Sequence, residues 1–154
     1  MDERKKEGRY TRILKQIEEL LRKSPDKQAA MATIASVLFN KMDYFFWCGF
    51  YRLDGSKLIV GPYQGPPACQ VLEGGGVCLA AVEKNATVIV PDVHQFPGHI
   101  ACDSRSSSEI VVPVKNIEGE IIGVLDVDSK DIESFTETDG RYLEKIVSLI
   151  QSIP

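Results

Sequence analysis

What this chain lacks narrows its function before any motif is read. No apolar run approaches the roughly 20 residues needed to cross a bilayer. The opening residues Met1 to Glu7 are charged where a secretory leader would carry an apolar core. A cytoplasmic protein with no membrane partner is the expectation. Positive charge is also short: 18 Lys and Arg stand against 22 Asp and Glu, for a formal net charge of -4 and a pI near 5.2. Arg4, Lys5, Lys6 and Arg9 alternate with Glu3 and Glu7, so no basic patch suggests nucleic acid. No Pro/Ser-rich linker and no internal repeat divides the 154 residues, which read as one domain, 1–154, long enough to bury a single core. With only 2 histidines and neither a CxxC nor an HxxxH pair, the chain does not suggest structural zinc held by Cys69, Cys78, His94, His99 and Cys102. Gly74-Gly75-Gly76 lacks the lysine and hydroxyl that complete a phosphate loop. No metal or organic cofactor is therefore expected.

Apolar periodicity predicts the elements. Tyr10, Ile13, Leu14, Ile17, Leu20 and Leu21 recur at helical spacing from about Gly8 to Lys23, and Pro25 opens a second helix running to about Asn40. An aromatic-rich strand, Tyr44 to Leu53, ends at the hairpin signal Asp54-Gly55 and returns as Leu58 to Tyr63. Gln64 to Gly76 reads as loop, Val77 to Lys84 as a short helix with Asn85 as its cap, and Thr87 to Val90 as a strand. Pro91 to Ser107 is a long aperiodic loop, a length more often functional than idle in a compact domain. Glu109 to Val114 and Ile121 to Ser129 are strands, and Thr136 caps a last helix with Leu143, Ile146, Val147 and Ile150 on its apolar face. Tight turns between sequential strands imply an α+β fold: an antiparallel sheet with the terminal helices on one face and loops on the other.

Chemistry concentrates in the loops and at strand ends. Cys102 lies in Gly98 to Ser104, between His99 and Arg105, a setting in which a thiolate can form and be reached. Cys48, inside an apolar strand, reads as a buried hydrophobe. Cys78 stands at a helix start, where the dipole would lower a thiol pKa, unless the group simply packs. His99 is better placed than His94 to tune Cys102. Alternation puts Trp47, Gly49 and Tyr51 on one strand face, either core or a notch opened by the glycine. The same alternation sets Asp126 and Asp128 roughly 7 Å apart on one face, where like charge raises the pKa of at least one; the alternative is a solvated strand end. Glu109 offers a third carboxyl group.

At these residues the sequence resembles the free methionine-(R)-sulfoxide reductases, enzymes built on a GAF domain. The resemblance runs through Trp47-Cys-Gly-Phe-Tyr51, Gly61-Pro-Tyr-Gln-Gly65, Pro67-Ala-Cys69, Gly76-Val-Cys78, Pro91-Asp-Val-His94, Gly98-His-Ile-Ala-Cys-Asp-Ser104, Ser108-Glu-Ile-Val-Val-Pro113 and Ile122-Gly-Val-Leu-Asp-Val-Asp-Ser129. It implies a GAF-like sheet of about six strands and reduction of free L-methionine (R)-sulfoxide. It implies Cys102 as nucleophile, Cys69 as the main resolving thiol and Cys78 as an auxiliary one. It implies Trp47 and Tyr51 around the substrate methyl group, and Glu109, Asp126 and Asp128 around the sulfoxide. Thioredoxin as reductant and a homodimer are implied likewise. The Cys69–Cys78 segment is shorter than in that family and Leu79 replaces a glycine, so Cys69 and Cys78 both stay open as the resolving thiol. The competing expectation is a non-catalytic GAF module that senses a small molecule or a redox change.

Overall fold

The computed structural model describes residues 1–99 and 102–154. Ile100 and Ala101, within the segment that carries the strongest sequence signal, lie outside the described residues. Helix α1, Glu3–Leu21, begins at Asp2, whose carboxylate accepts the Lys5 backbone N–H at 2.9 Å. It starts at Glu3 rather than Gly8 because the cap, and not an apolar stripe, sets its first turn. Helix α2, Lys27–Lys41, is capped in the same way by Asp26, which accepts the Ala29 N–H at 2.8 Å. Strand β1, Trp47–Asp54, starts later than the aromatic run from Tyr44 predicts. The Phe45 N–H bonds the Met42 carbonyl at 3.1 Å in the turn leaving α2, so it is not free to enter a ladder.

The hairpin to β2, Lys57–Gln64, turns at Gly55 with φ 63°. A two-residue strand β3, Val71–Leu72, lies inside the stretch that reads as pure loop, where it pairs with Leu58 and Ile59. Helix α3, Val77–Lys84, ends at Asn85 in the left-handed region, as its sequence predicts. Strand β4, Val88–Val90, is followed by a single 3-10 turn, Val93–Gln95, inside the long aperiodic loop. Strands β5, Ser108–Lys115, and β6, Ile121–Ser129, lead to helix α4, Glu137–Ser148, whose start carries a Thr136/Asp139 capping box.

The strands form one open antiparallel sheet in the order β3-β2-β1-β6-β5-β4. Helices α1, α2 and α4 cover one face, burying Ile13, Ile17, Ile34, Leu38, Leu143 and Ile146 against Cys48, Phe50, Ile110, Val112, Leu125 and Val127. Helix α3 and the long loops cover the other face over a smaller core of Leu58, Leu72, Val77, Ala81, Val111 and Val124. This is the expected α+β arrangement. Among the described residues, no helix is long and apolar enough to cross a membrane.

Candidate functional site

Register assembles the site. Opposite partners in neighbouring strands share a face, with Cβ atoms roughly 4.5–5.5 Å apart in an antiparallel pair. Glu109 of β5 lies across from Asp128 of β6, and β6 in turn sets Asp126 across from Gly49 and Asp128 across from Trp47. Three carboxyl groups from two strands thus meet on the loop-covered face, beside the first turn of α3. Cys78 of that turn lines the same cleft as Trp47, Tyr51, His99 and Cys102.

This is not a solvated strand end. Glu109 and Asp126 are each only 5 % exposed, and Asp128 is half-buried. Burial pushes the pKa of Glu109 well above the ordinary carboxyl range, and the charges of Asp126 and Asp128 add to it. Asp128 is raised chiefly by burial and then by Asp126; Asp126 is raised by burial and partly restored by hydrogen bonds from Glu109 and Cys78. Mutual repulsion of the two aspartates, the cause that strand alternation suggests, is therefore secondary to desolvation. Glu109 and Asp128 are both pushed toward the protonated form, so the cluster can donate a proton to a neighbour. Asp126 Oδ1 is buried without a hydrogen-bond partner among the described residues.

The four cysteines occupy three environments. Cys69 and Cys102 form a disulfide with their Cα atoms 5.4 Å apart, joining the loop after β2 to the loop before β5 across 33 residues. Cys48 is buried on the helical side, and burial raises its pKa, as a packing residue requires. Cys78 is free and only 5 % exposed. Of the two expectations for Cys78, a thiol lowered by the start of α3 or a packed one, burial favours the second: burial first, then Asp126, Glu109 and Asp128, push its pKa well above the usual thiol range. A helix end cannot stabilise a thiolate surrounded by carboxylates in a dry site.

Trp47 and Tyr51 line the cleft, but Gly49 does not open a notch between them. A Cβ at Gly49 would lie 2.2 Å from Tyr63 Cβ and 2.7 Å from Trp47 Cη2. The glycine instead lets Trp47 stack on Tyr63, with centroids 5.2 Å apart, and on Tyr51 at 5.8 Å. The polar edges of these rings reach the loop of Cys69: Trp47 Nε1 donates to the Pro66 carbonyl at 3.1 Å and the Tyr51 hydroxyl to the Cys69 carbonyl at 3.3 Å.

The cations beside Cys102 are occupied or neutral. Arg105 binds Asp103 through three hydrogen bonds, its backbone N–H to Oδ1 at 2.9 Å, Nε to Oδ1 at 3.0 Å and Nη2 to Oδ2 at 2.7 Å, and lies over the Phe46 ring. This holds the Asp103 carboxyl down at about 2. His99 has its pKa lowered by burial and by His94, while His94 itself faces Asp92 at 3.1 Å. The zinc set considered from sequence is not assembled, since Cys69 and Cys102 are bonded to each other. Sequence reasoning missed Phe46 and Ser106, which line the cleft, and Tyr63, which backs Trp47. Tyr63 was legible in principle, because its partner across the hairpin is Gly49.

A buried proton-holding cluster beside a loop disulfide defines a class: a sheet domain whose cleft carries sulfur redox chemistry. The GAF domain model matches residues 25–153. The chain is 46% identical over 149 residues to GAF domain-containing protein A of Dictyostelium discoideum, covering 96% of this chain and 93% of that one. It is 40% identical over 126 residues to the free methionine-R-sulfoxide reductase of Escherichia coli, covering 81% of this chain and 76% of the relative. The X-ray structure of the Neisseria meningitidis free methionine-R-sulfoxide reductase, in complex with its substrate, superposes with a TM-score of 0.88 at 43% identity, covering 92% of this chain and 86% of that one. The chain belongs to the GAF-domain family and, within it, to the free methionine-R-sulfoxide reductases.

Proposed function

We propose that the protein reduces free L-methionine (R)-sulfoxide to L-methionine, using Cys102 as nucleophile and Cys69 as resolving thiol. The observation that carries this reading is the junction of the Cys69–Cys102 pair with a buried cluster of three acids in one cleft. A sulfoxide is a poor electrophile until its oxygen is protonated, and a carboxyl group of raised pKa is the donor it needs. Glu109, with Asp126 and Asp128, binds the oxygen and supplies the proton. The Cys102 thiolate attacks the sulfur as its oxygen is protonated; the substrate S–O bond breaks and the hydroxyl passes to the Cys102 sulfur, so methionine leaves reduced by two electrons and Cys102 is oxidised by two to a sulfenic acid. The Cys69 thiol condenses with it, releasing water and forming the disulfide. Thioredoxin returns both sulfurs to thiols by exchange, which the outward position of Cys102 permits. Cys78, buried and held protonated, takes no covalent part.

Trp47 and Tyr51 face the substrate methyl group, and a cleft floored by the sheet and walled by two loops suits one amino acid rather than a polypeptide. The full chain, 1–154, acts as one domain, in the cytoplasm and as a homodimer, in keeping with the family. The test supplies racemic free methionine sulfoxide with dithiothreitol and follows each diastereomer by chiral chromatography. Loss of the (R) form alone is expected. Equal rates on both forms, or faster reduction of peptide-bound sulfoxide, would overturn the reading. Disulfide formation without turnover would identify a redox switch instead.

A further inference from the structure

We propose that Cys78, Glu109 and Asp126 form a binding site for one soft divalent cation of the zinc type, which blocks the acid cluster. Cys78 Sγ and one carboxylate oxygen from each of the two acids lie within 4.8 Å of one another. A tetrahedral ion with bonds of about 2.0–2.3 Å places its ligands roughly 3.3–3.8 Å apart, so closure by side-chain rotation suffices. The donors come from three rigid elements, the first turn of α3 and the paired strands β5 and β6. A separate observation points to a ligand: Asp126, 5 % exposed, leaves Oδ1 buried with no partner among the described residues. A cation is the partner this site lacks. No salt bridge reaches these three residues among the described residues.

The donor set selects the ion. One thiolate with two carboxylates favours zinc, cadmium or cobalt(II) over magnesium and calcium, which prefer oxygen alone. Three protein ligands, all lining the cleft, leave a fourth position facing it. Binding displaces the protons of Cys78 and Glu109 to solvent. Because the reaction proposed above uses Glu109 and Asp126, and on that reading alone, the cation competes with the sulfoxide and inhibits.

The probe is cobalt(II), titrated into the full-length protein in its disulfide form. Cys69 and Cys102 then offer no thiolate, so only Cys78 and Cys48 can give thiolate-to-cobalt charge-transfer absorption. The band is expected to saturate at about one equivalent, to vanish in Cys78→Ala and to persist in Cys48→Ser. Asp126→Asn keeps the thiol but weakens cobalt binding by about tenfold or more. Absence of the band, its survival in Cys78→Ala, or unweakened binding by Asp126→Asn would each overturn the site. None of these readings involves turnover, so failure here leaves the reductase activity standing, and failure of that activity leaves the site standing.

Discussion

The two faces of the sheet each bury a polar cluster, and the clusters are built on opposite rules. On the helical side, Lys6 Nζ binds Asp139 Oδ2 at 2.6 Å and the Ser134 carbonyl at 2.8 Å. Asp139 Oδ1 accepts the hydroxyls of Tyr10 at 2.7 Å and Tyr44 at 2.5 Å, while Oδ2 takes the Thr136 N–H at 2.8 Å. Charge is balanced and both carboxylate oxygens are occupied, so the cluster staples α1 to the start of α4. On the cleft side, Glu109, Asp126 and Asp128 are acids with, among the described residues, no cation beside them, no ion pair and one oxygen without a partner. A closed network holds a fold together; an open one holds a proton or a ligand, at a cost in stability.

Several substitutions would break that contrast. The largest effect falls on sulfur: Cys102→Ser removes the reaction path and should abolish turnover, whereas Cys48→Ser, on the other face, should keep it. Steady-state assay of the two variants decides this, and substantial turnover by Cys102→Ser would end the mechanism.

Next come the acids. Glu109→Gln should lower kcat/KM by about 10²- to 10⁴-fold, with Asp126→Asn and Asp128→Asn showing losses of the same kind. The same change should stabilise the protein. A carboxyl group whose folded pKa is raised binds its proton more tightly in the native state, so stability is present below the ordinary carboxyl range and falls as pH rises through it toward the raised values. Thermal unfolding at neutral pH should therefore show Glu109→Gln melting higher than the parent, the gap closing in acid; the titration belongs to the cluster as a whole. Lys6→Met should do the reverse. Leaving Asp139 buried without its cation costs about 3–5 kcal/mol, read by urea unfolding, with activity per folded molecule unchanged. If Lys6→Met and Glu109→Gln shift stability in the same direction, the two clusters are not opposites.

The smallest expected effect tests the link from the cleft to its loop. Tyr51→Phe removes the hydroxyl bond to the Cys69 carbonyl, worth about 0.5–1.5 kcal/mol, and should slow closure of the Cys69–Cys102 disulfide by at most about tenfold. Rapid quench followed by thiol alkylation measures that rate, and an unchanged rate would show that the bond does not position Cys69.

Local signals carried most of the fold, because caps, turns and apolar periodicity act over a few residues. Asn85 after α3, Asp54-Gly55 in the first hairpin and Thr136 before α4 were all legible. The start of α1 was not, since a cap at Asp2 leaves no apolar stripe, and neither was β3, whose two residues are a strand only because β2 lies beside them. The chain's own composition and motifs determined its class, the outlying loop thiol at Cys102 and the shared face of Asp126 and Asp128. Tertiary structure brought Cys69 to Cys102, the partner the family resemblance implies, and it alone decided that Gly49 serves aromatic stacking rather than a notch and that Cys78 is pushed toward its protonated form. Each of these depends on strand register and on loops packed from distant parts of the chain. Dielectric and distance, which set a pKa, are properties of that packing and have no counterpart in residue order.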